Sequence, residues 1–236
     1  MSLVKGDLMT KCICVVSGGL DSTTLLYWAI SKGYTPYVLS FNYGQRHSKE
    51  LECAKTICQK LNLEHKIIDI SGLGQLASNS ALTSKDIAVP EGHYTAANQS
   101  ITVVPNRNAT FLSFAVAYAG TIGAKVVFYG AHNSDRAVYA DCRKEFVDAY
   151  QEMARKSLDD SEFQVTAPFI NMTKSEIVEL GLKLRVPYGD TWSCYVGGDR
   201  ACGKCGTCVE RIEAFKLNDA IDPIPYTVEP NWVERE

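Results

Sequence analysis

The chain has 236 residues, of which 46% are hydrophobic, and its formal net charge is −3. This apolar content is enough for a sizeable core, but the charge gives no sign of the clustered basic surface on which sequence-independent nucleic-acid binding depends. The apolar runs are shorter than the roughly 20 residues that span a bilayer, and the N-terminus has no apolar signal region. We therefore expect a cytoplasmic protein without membrane spans and without strong nucleic-acid binding.

Short apolar runs alternate with segments of helical periodicity along most of the chain. This alternation is typical of a parallel sheet covered by helices. It predicts an α/β fold with a doubly wound, mainly parallel five-stranded sheet over residues 10–190, followed by a smaller C-terminal element over residues 191–236. The predicted strands are 12–16, 35–43, 64–70, 125–131 and 163–169, and the predicted helices are 22–33, 48–62, 108–123, 142–158 and 173–184.

Residues 71–104 interrupt this alternation. The segment is polar, carries glycine and proline, and has no clear period. It is longer than a simple connection between two elements of a compact domain, and segments of this length are usually lids, binding loops or disordered chain. The sequence leaves these three alternatives open.

A glycine-rich loop, SGGLDS at 17–22, joins the first predicted strand to the first predicted helix. Glycines followed by the N–H groups of a helix start are typical of an anion site, yet the loop lacks the lysine of a Walker A motif. The carboxylate of Asp21 would repel a bound phosphate, so we predict that Mg²⁺ bridges the two. The alternative is a tight turn in which Asp21 and Ser22 only cap the helix.

Four of the nine cysteines lie close together in the spacing C-x7-C-x2-C-x2-C. Thiolates separated by glycine-rich turns favour a closed tetrahedral zinc site, with one structural zinc per chain. An iron–sulfur cluster is the main alternative, because C-x2-C-x2-C also occurs there, and unrelated core thiols are a weaker one. The predicted ligands are Cys194, Cys202, Cys205 and Cys208, which make the C-terminal element a zinc-binding one.

The SGGLDS string, placed between a strand and a helix, resembles the PP-loop of the ATP pyrophosphatase superfamily. Members of that superfamily transfer AMP from ATP to an acceptor oxygen and release pyrophosphate. The resemblance explains the missing lysine, because the bond that breaks lies at the α-phosphate and the loop holds the departing pyrophosphate.

Further motifs extend the resemblance over residues 11–211 and point to the 7-cyano-7-deazaguanine synthase family. The resemblance implies a homodimeric ligase that forms carbon–nitrogen bonds in queuosine biosynthesis. It implies that ATP and ammonia convert 7-carboxy-7-deazaguanine to the 7-cyano base through AMP esters of the carboxylate and then of the amide. The motifs are FNYGQRH at 41–47, VPNRNATFLS at 104–113, GAHNSDRAVYADCRKEF at 130–146, MTKSEIV at 172–178 and TWSCY at 191–195.

The resemblance also implies roles at the matching positions. Arg107 and Lys174 are expected to neutralise charge on the phosphates. The alternatives are a helix cap for Arg46 and a solvated loop pair for Asp135 and Arg136. The implied catalytic residues are Asp21, Arg107, Lys174, Arg46 and His47; the implied ATP-binding residues are Val16, Ser17, Gly18, Gly19, Leu20, Asp21, Ser22, Thr23, Thr24, Leu25 and Leu26; and the implied substrate-binding residues are Tyr43, Gln45, Arg46, His132, Asp135, Arg136 and Asp141.

Two other functions compete with this interpretation. A tRNA-thiolating PP-loop enzyme would need a reactive cysteine, which Cys142 or the four-cysteine cluster would have to supply. A zinc ribbon bound to nucleic acid would have only Arg200, Lys204 and Arg211 beside it, and this is little positive charge for such an interface.

Overall fold

A computed structural model of the chain describes residues 10–93, 99–228 and 230. Five strands form one sheet with α-helices on both faces. No helix within these ranges is both long and apolar enough to cross a membrane. The strands are β1 Thr10–Val15, β2 Tyr34–Asn42, β3 His65–Asp69, β4 Val126–Phe128 and β5 Gln164–Thr166; the helices are α1 Leu20–Ser31, α2 Lys49–Lys60, α3 Gly72–Leu76, α4 Arg107–Ile122, α5 Lys144–Leu158, α6 Lys174–Lys183 and α7 Gly206–Leu217.

The strand order is β3-β2-β1-β4-β5, and every neighbouring pair is parallel. The chain runs outward from β1 to β3, then returns to the other side of β1 with β4. The order therefore reverses between β1 and β4, and the loops that follow these two strands diverge there. Such a switch point opens a crevice at the carboxyl edge of a parallel sheet. The predicted doubly wound α/β fold is confirmed.

Two apolar clusters cover the two faces of the sheet. One contains Leu25 and Leu26 of α1 together with Ile177 of α6, and these side chains are fully buried. The other contains Leu112 of α4 and Val147 of α5. Because alternate strand residues point to opposite faces, Cys12 and Cys14 of β1 join the first cluster while Ile13 joins the second.

Several element boundaries differ from the sequence prediction. The fourth and fifth strands are only three residues long, whereas runs of seven were predicted. Pro168 follows β5 closely and cannot donate a ladder hydrogen bond, which accounts for the early end of that strand. The capping box at the start of α6 is confirmed, since Thr173 accepts a hydrogen bond from the N–H of Glu176 and donates its own N–H to the Glu176 carboxylate.

The segment 71–104 contains more local structure than its composition indicates. It begins with α3 and ends with a 3₁₀ turn at Ser100–Thr102, and residues 94–98 lie outside the described ranges. Arg46 secures its middle part, because Nη1 donates to the carbonyl oxygens of Ala81, Ser84 and Ile87 at 3.0, 3.2 and 2.7 Å. The described part of this segment is therefore folded against the motif at 41–47.

The C-terminal element carries a helix that the sequence analysis did not predict. Helix α7 packs against α6, and its Ala214 and Phe215 enter the same apolar cluster as α1. The buried guanidinium of Arg211 in α7 makes a two-point ion pair with Asp222, in which Nε and Nη2 donate to the two carboxylate oxygens at 2.5 and 2.9 Å. Tyr226 also donates to this carboxylate, so one charged pair fixes the chain that follows α7.

The buried pair Arg211–Asp222 gives the first prediction. Changing Asp222→Ala leaves a guanidinium in the interior without its counter-charge, which typically costs about 3–5 kcal/mol. We expect the free energy of unfolding, measured by urea denaturation, to fall by that amount. The exposed Asp86 offers a matched control, and Asp86→Ala should change the unfolding free energy by less than about 0.5 kcal/mol. Equal stability of the two variants would contradict the prediction.

Candidate active site

A cavity opens at the carboxyl edge of the sheet, where the loops after β1 and β4 diverge. Its walls come from the glycine loop, the segment after β2, the start of α4, the segment after β4, and the chain around α7. Its lining residues include Ser17, Gly19, Asp21, Ser22, Tyr43, Gln45, Arg46, His47, Glu50, Leu82, Arg107, Phe111, His132, Asp135, Cys142, Lys174, Ser193, Tyr195, Thr207 and Glu210.

Hydrogen bonds between residues of the glycine loop itself hold the loop in place. Ser22 Oγ accepts from the N–H of Ser17 at 3.1 Å and donates to the carbonyl of Gly19 at 3.3 Å. Gly19 caps α1 in an extended conformation, and its own N–H donates to Ser17 Oγ at 3.2 Å. The N–H groups of a helix start and the helix dipole are the elements from which anion sites are built.

Gly18 has a different task from Gly19. Its φ of +97° lies in the region that favours glycine, and a Cβ there would overlap the carbonyl oxygen of Glu50 and lie 2.7 Å from the N atom of Ala54. Its own carbonyl accepts from the N–H of Trp192 at 3.0 Å. Gly18 is therefore required for close packing of the loop onto α2, while Gly19 faces the cavity.

Asp21 and Lys174 form the central ion pair, with Nζ 2.7 Å from Oδ2. Burial alone would raise the pKa of Asp21, but the charges of Lys174 and His132 hold it below its ordinary value. Burial would likewise lower the pKa of Lys174, yet Asp21, Glu210 and Asp135 raise it well above the usual range. Both groups are thus charged at neutral pH, and a lysine 153 residues away in sequence supplies the cation that the loop itself lacks.

The second oxygen of Asp21 is available to a ligand. Oδ1 is buried without a hydrogen-bond partner within the described ranges, and it lies 3.7 Å from His132 Nε2. The Asp135 carboxylate approaches the same nitrogen of that histidine, with Oδ2 3.4 Å from Nε2. Carboxylate oxygens facing an anion site are the donor type that Mg²⁺ prefers, so this arrangement fits the predicted metal.

Tyr43, Arg107 and Phe111 form an aromatic and cationic part of the cavity wall. The rings of Phe41 and Phe111 stack with centroids 4.4 Å apart, and the Arg107 guanidinium lies 5.6 Å from the centroid of Tyr43. The Arg107 Nη1 atom is also 3.5 Å from the hydroxyl of Tyr43. Flat apolar surface beside a fixed guanidinium is suited to a planar, anionic ligand.

The side chains of Arg46 and His47 line the cavity, and each also bonds to carbonyl oxygens of other segments of the protein. Because Arg46 donates to the carbonyl oxygens of Ala81, Ser84 and Ile87, its side chain also holds the segment at 81–87 in place. Arg46 therefore does not act as the helix cap that the sequence left open as an alternative. His47 Nε2 is 3.0 Å from the carbonyl oxygen of Cys194, and burial lowers the pKa of His47. His47 is therefore predominantly neutral at pH 7.

The structure brings most of the predicted site residues together, but not all of them. Arg136 bonds instead to the carbonyl of Ile170 and to Asn171, and Asp141 Oδ2 accepts from the N–H of Asn108 at 2.9 Å, which caps α4. Among the described residues, those predicted for ATP or substrate binding that do not line the cavity are Val16, Gly18, Thr23, Thr24, Leu25, Leu26, Arg136 and Asp141.

Sequence reasoning missed several lining residues. Glu50 lies in the first turn of α2 near Lys49 and Glu52, and such a pattern is typical of a solvated helix face, so no sequence signal singled it out. Glu210 and Thr207 lie on the helix α7 that was not predicted. Ser193 and Tyr195 belong to the TWSCY motif, which was quoted for the resemblance but given no role in the site.

The four predicted cysteine ligands converge at the start of α7. Their Sγ atoms all lie within 4.8 Å of one another, and the Cys202 and Cys208 sulfurs are 3.9 Å apart. A tetrahedral zinc–thiolate site with bonds of about 2.3 Å has sulfurs about 3.8 Å apart, so the cluster fits that geometry. Hydrogen bonds from the other three thiols lower the pKa of Cys202, and the N–H groups of Lys204 and Cys205 point to its sulfur.

Comparison with solved structures identifies the class of fold. The chain is similar to the NMN synthetase from Francisella tularensis, with a TM-score of 0.50, 19% identity, and coverage of 79% of this chain and 66% of that chain. It is also similar to a 4-thiouridine synthetase solved with RNA and bound ATP, with a TM-score of 0.50, 17% identity, and coverage of 86% and 50%. The chain therefore shares its α/β fold with these two enzymes.

Sequence comparison then defines the family. The family profile described as queuosine biosynthesis protein QueC matches residues 11–219. The chain is 52% identical to the 7-cyano-7-deazaguanine synthase of Hahella chejuensis over 92% of this chain and 93% of that protein. It is 51% identical to the enzyme of the same name from Caldicellulosiruptor saccharolyticus, over 95% and 99%. The chain belongs to the QueC family of queuosine biosynthesis proteins.

The environment of Glu50 gives a prediction about pH and stability. Burial, with a smaller contribution from Asp21, raises the pKa of Glu50 to about 7 against the opposing charge of Arg107. The folded protein then binds a proton that the unfolded chain has already released between pH 4.5 and 7, so this residue lowers stability as the pH rises through that interval.

We therefore expect Glu50→Gln to raise the free energy of unfolding at pH 8 by an amount on the order of 2–3 kcal/mol. The gain should shrink towards zero below pH 4.5, where the carboxyl is protonated in both states. Urea denaturation across this pH range measures the difference, and Glu52→Gln on the exposed face of the same helix is the control. A gain that does not change with pH would contradict the prediction.

Proposed function

We propose that this enzyme converts 7-carboxy-7-deazaguanine and ammonia to 7-cyano-7-deazaguanine at the expense of ATP, as a ligase that forms carbon–nitrogen bonds. One observation carries the proposal. The anion-binding glycine loop, a lysine-neutralised aspartate and an aromatic wall with Arg107 share a single cavity in a chain about half identical to enzymes of that name.

The residues of the cavity fit the chemistry of adenylation. A carboxylate is a poor electrophile because an oxide cannot leave, and its AMP ester removes that obstacle. The glycine loop and the N–H groups at the start of α1 would bind the pyrophosphate that departs, and Lys174 and Arg107 would stabilise the charge that builds up during transfer. The rings of Phe111 and Tyr43 would hold the planar base next to the loop, and Phe41 stacks behind Phe111.

The same site can serve both adenylation steps, because in each step AMP is transferred to an oxygen atom on the same carbon. The carboxylate oxygen is adenylated first, ammonia displaces AMP, and the amide oxygen is adenylated in turn so that AMP leaves again as the nitrile forms. Asp21 would hold Mg²⁺ through the unpartnered Oδ1, and the ion would supply positive charge to the phosphates.

Zinc in the four-cysteine cluster is a further part of the proposal. Four protein ligands leave no open coordination position, so zinc there is structural and takes no part in the reaction. From the family resemblance we also propose a cytoplasmic homodimer that takes free ammonia or ammonia from a partner. Residues 10–190 form the ATP-dependent part in this proposal, and residues 191–236 form the zinc-binding element packed on it.

Sulfur transfer to tRNA is less well supported than this reaction. Cys142 lines the cavity, but burial raises the pKa of its thiol well above the usual range, and Asp135 and Asp141 add to the effect. A thiol is a weak nucleophile, and sulfur transfer needs the thiolate. The other cysteine candidates lie in the metal cluster, where a bound ion would occupy their sulfurs.

A pyrophosphate release assay tests the reaction. The wild-type protein should release pyrophosphate from ATP only when the carboxy base is present, and should form the cyano base when ammonia is added. Asp21→Asn removes the charge that faces Lys174, and we expect product formation to fall by about 10²–10³-fold. The exposed Asp199→Asn variant should keep the wild-type rate. Pyrophosphate release that does not depend on the base would refute the proposed function.

Metal analysis tests the cysteine cluster independently of activity. Purified protein should contain about one zinc per chain, and Cys208→Ser should lose most of this zinc and unfold at a lower temperature. Cys58→Ser is the control, because Cys58 is equally buried but lies in the apolar core of α2. Iron at a stoichiometric level in protein purified without air would show that the cluster holds a different metal.

A further inference from the structure

Glu50 differs from the other carboxylates that line the cavity, because none of the described residues pairs with it. Lys174 Nζ lies 2.7 Å from an oxygen of Asp21 and 3.8 Å from an oxygen of Glu210. The Asp135 carboxylate approaches His132 Nε2 at 3.4 Å. By contrast, no hydrogen bond or ion pair with another described residue holds the Glu50 side chain. The carboxylates compared are Asp21, Glu50, Asp135 and Glu210.

The lack of a partner makes the Glu50 carboxylate costly to enclose. The residue as a whole is half-buried, but protein surrounds its carboxyl within the cavity. Removing a carboxylate from water without a compensating hydrogen bond is unfavourable, and the same burial raises the pKa of this group to about 7. The other three carboxylates are stabilised by their basic neighbours. Glu50 is therefore the carboxylate of the described cavity wall that a ligand would satisfy.

The surroundings of Glu50 indicate which kind of ligand it meets. Arg107 is the opposing charge with the largest effect on Glu50. Burial raises the pKa of Tyr43, and the nearby charges of Arg107 and Glu50 shift that pKa in opposite directions. The ring of Tyr43 lies beside that of Phe111, with centroids 5.6 Å apart, and a planar ligand is expected to stack there. Glu50 is thus close to the surface on which the base would lie.

The hydrogen-bonding groups of the reactants select the partner. A carboxylate has two oxygens that only accept, and both Glu50 oxygens lack a donor among the described residues. The guanine-type base carries a ring N1–H and a 2-amino group that point in the same direction, so it offers two parallel donors to one carboxylate, as a guanidinium does.

The other reactants fit Glu50 less well. Ammonia has no second donor held parallel to the first. The adenine of ATP places a ring acceptor beside its amino group, and a phosphate presents acceptors. Mg²⁺ would be repelled by the guanidinium of Arg107, the opposing charge that already acts on Glu50.

We propose that Glu50 recognises the guanine-type edge of the substrate, with one carboxylate oxygen accepting from N1–H and the other from the 2-amino group of 7-carboxy-7-deazaguanine. This inference rests on the proposed function and adds the specificity of the base site to it. A base with hydrogen in place of the 2-amino group would leave one oxygen of Glu50 without a donor, and sites built to bind an N–H group reject such analogues.

Substrate selectivity tests this role. The analogue 7-carboxy-7-deazahypoxanthine differs from the carboxy base only in lacking the 2-amino group. With the wild-type protein, we expect kcat/KM for base-dependent pyrophosphate release to be about 100-fold lower with the analogue. The reason is that one hydrogen bond to a charged group is lost while its acceptor stays enclosed.

Glu50→Gln should abolish this preference. Its amide oxygen can accept from N1–H, but its NH₂ group then faces the 2-amino group, donor against donor, and the analogue lacks that clash. We expect the KM for the carboxy base to rise by about 30-fold or more, and the preference between the two bases to fall below about threefold. The KM for ATP should stay close to the wild-type value. The exposed Glu52→Gln variant should keep the wild-type preference.

A binding measurement gives a readout that does not depend on turnover. The two bases are titrated calorimetrically into protein that holds α,β-methylene-ATP, an analogue that cannot transfer AMP. The affinities should differ by about 100-fold for wild type and by less than about threefold for Glu50→Gln. Thermal midpoints show that the variant is folded, and the pH argument above predicts that it is at least as stable as wild type.

The outcomes distinguish this inference from the proposed function. If wild-type protein released no pyrophosphate in response to the carboxy base, the proposed reaction would be refuted, and the calorimetry would still decide the role of Glu50. Equal affinity of wild type for the two bases, or an undiminished preference in Glu50→Gln, would overturn the inference. So would a variant that binds both bases as wild type does but requires more Mg²⁺ or more ammonia, because Glu50 would then serve the metal or the nitrogen source.

Discussion

The close approach of Gly18 to helix α2 is the constraint on which the rest of the site depends. The glycine loop presses on the backbone of Glu50 and Ala54 so tightly that no Cβ fits between them. On its other side, the Gly18 carbonyl is held by the N–H of Trp192. One residue thus locks together the loop after β1, the helix after β2 and the start of the C-terminal element. The Glu50 carboxylate lines the cavity because Gly18 brings its backbone there.

The C-terminal element is consequently part of the site and not only an appendage to it. Cys205 caps α7, and the same helix brings Thr207 and Glu210 to the cavity. Arg211 anchors this helix through Asp222, and also donates to Thr191 and Ser193 at 2.8 and 3.2 Å. A metal in the cysteine cluster would therefore act on the reaction through position, by fixing where α7 begins.

The sequence was informative wherever one local pattern decides the outcome. Alternating apolar runs predicted all five strands and their parallel arrangement, and the spacing of four cysteines predicted thiols that do converge. The sequence was less informative where the burial of a residue depends on segments that are distant from it in the sequence. Glu50 looks like a solvated residue because its enclosure comes from the glycine loop and the region around Trp192. Asp141 looks like a cavity residue because only the fold shows that it caps α4.

The missing lysine of the glycine loop has a structural counterpart in Lys174. Lys174 lies at the start of α6 and its ammonium group pairs with Asp21, so the positive charge comes from another helix and not from the loop itself. A lysine inside the loop would sit against the outer phosphates, as a Walker A lysine does. Lys174 is instead tied to Asp21, with Glu210 3.8 Å away. In the proposed reaction, which transfers AMP and releases pyrophosphate, we expect its charge to act where the bond between the α- and β-phosphates breaks.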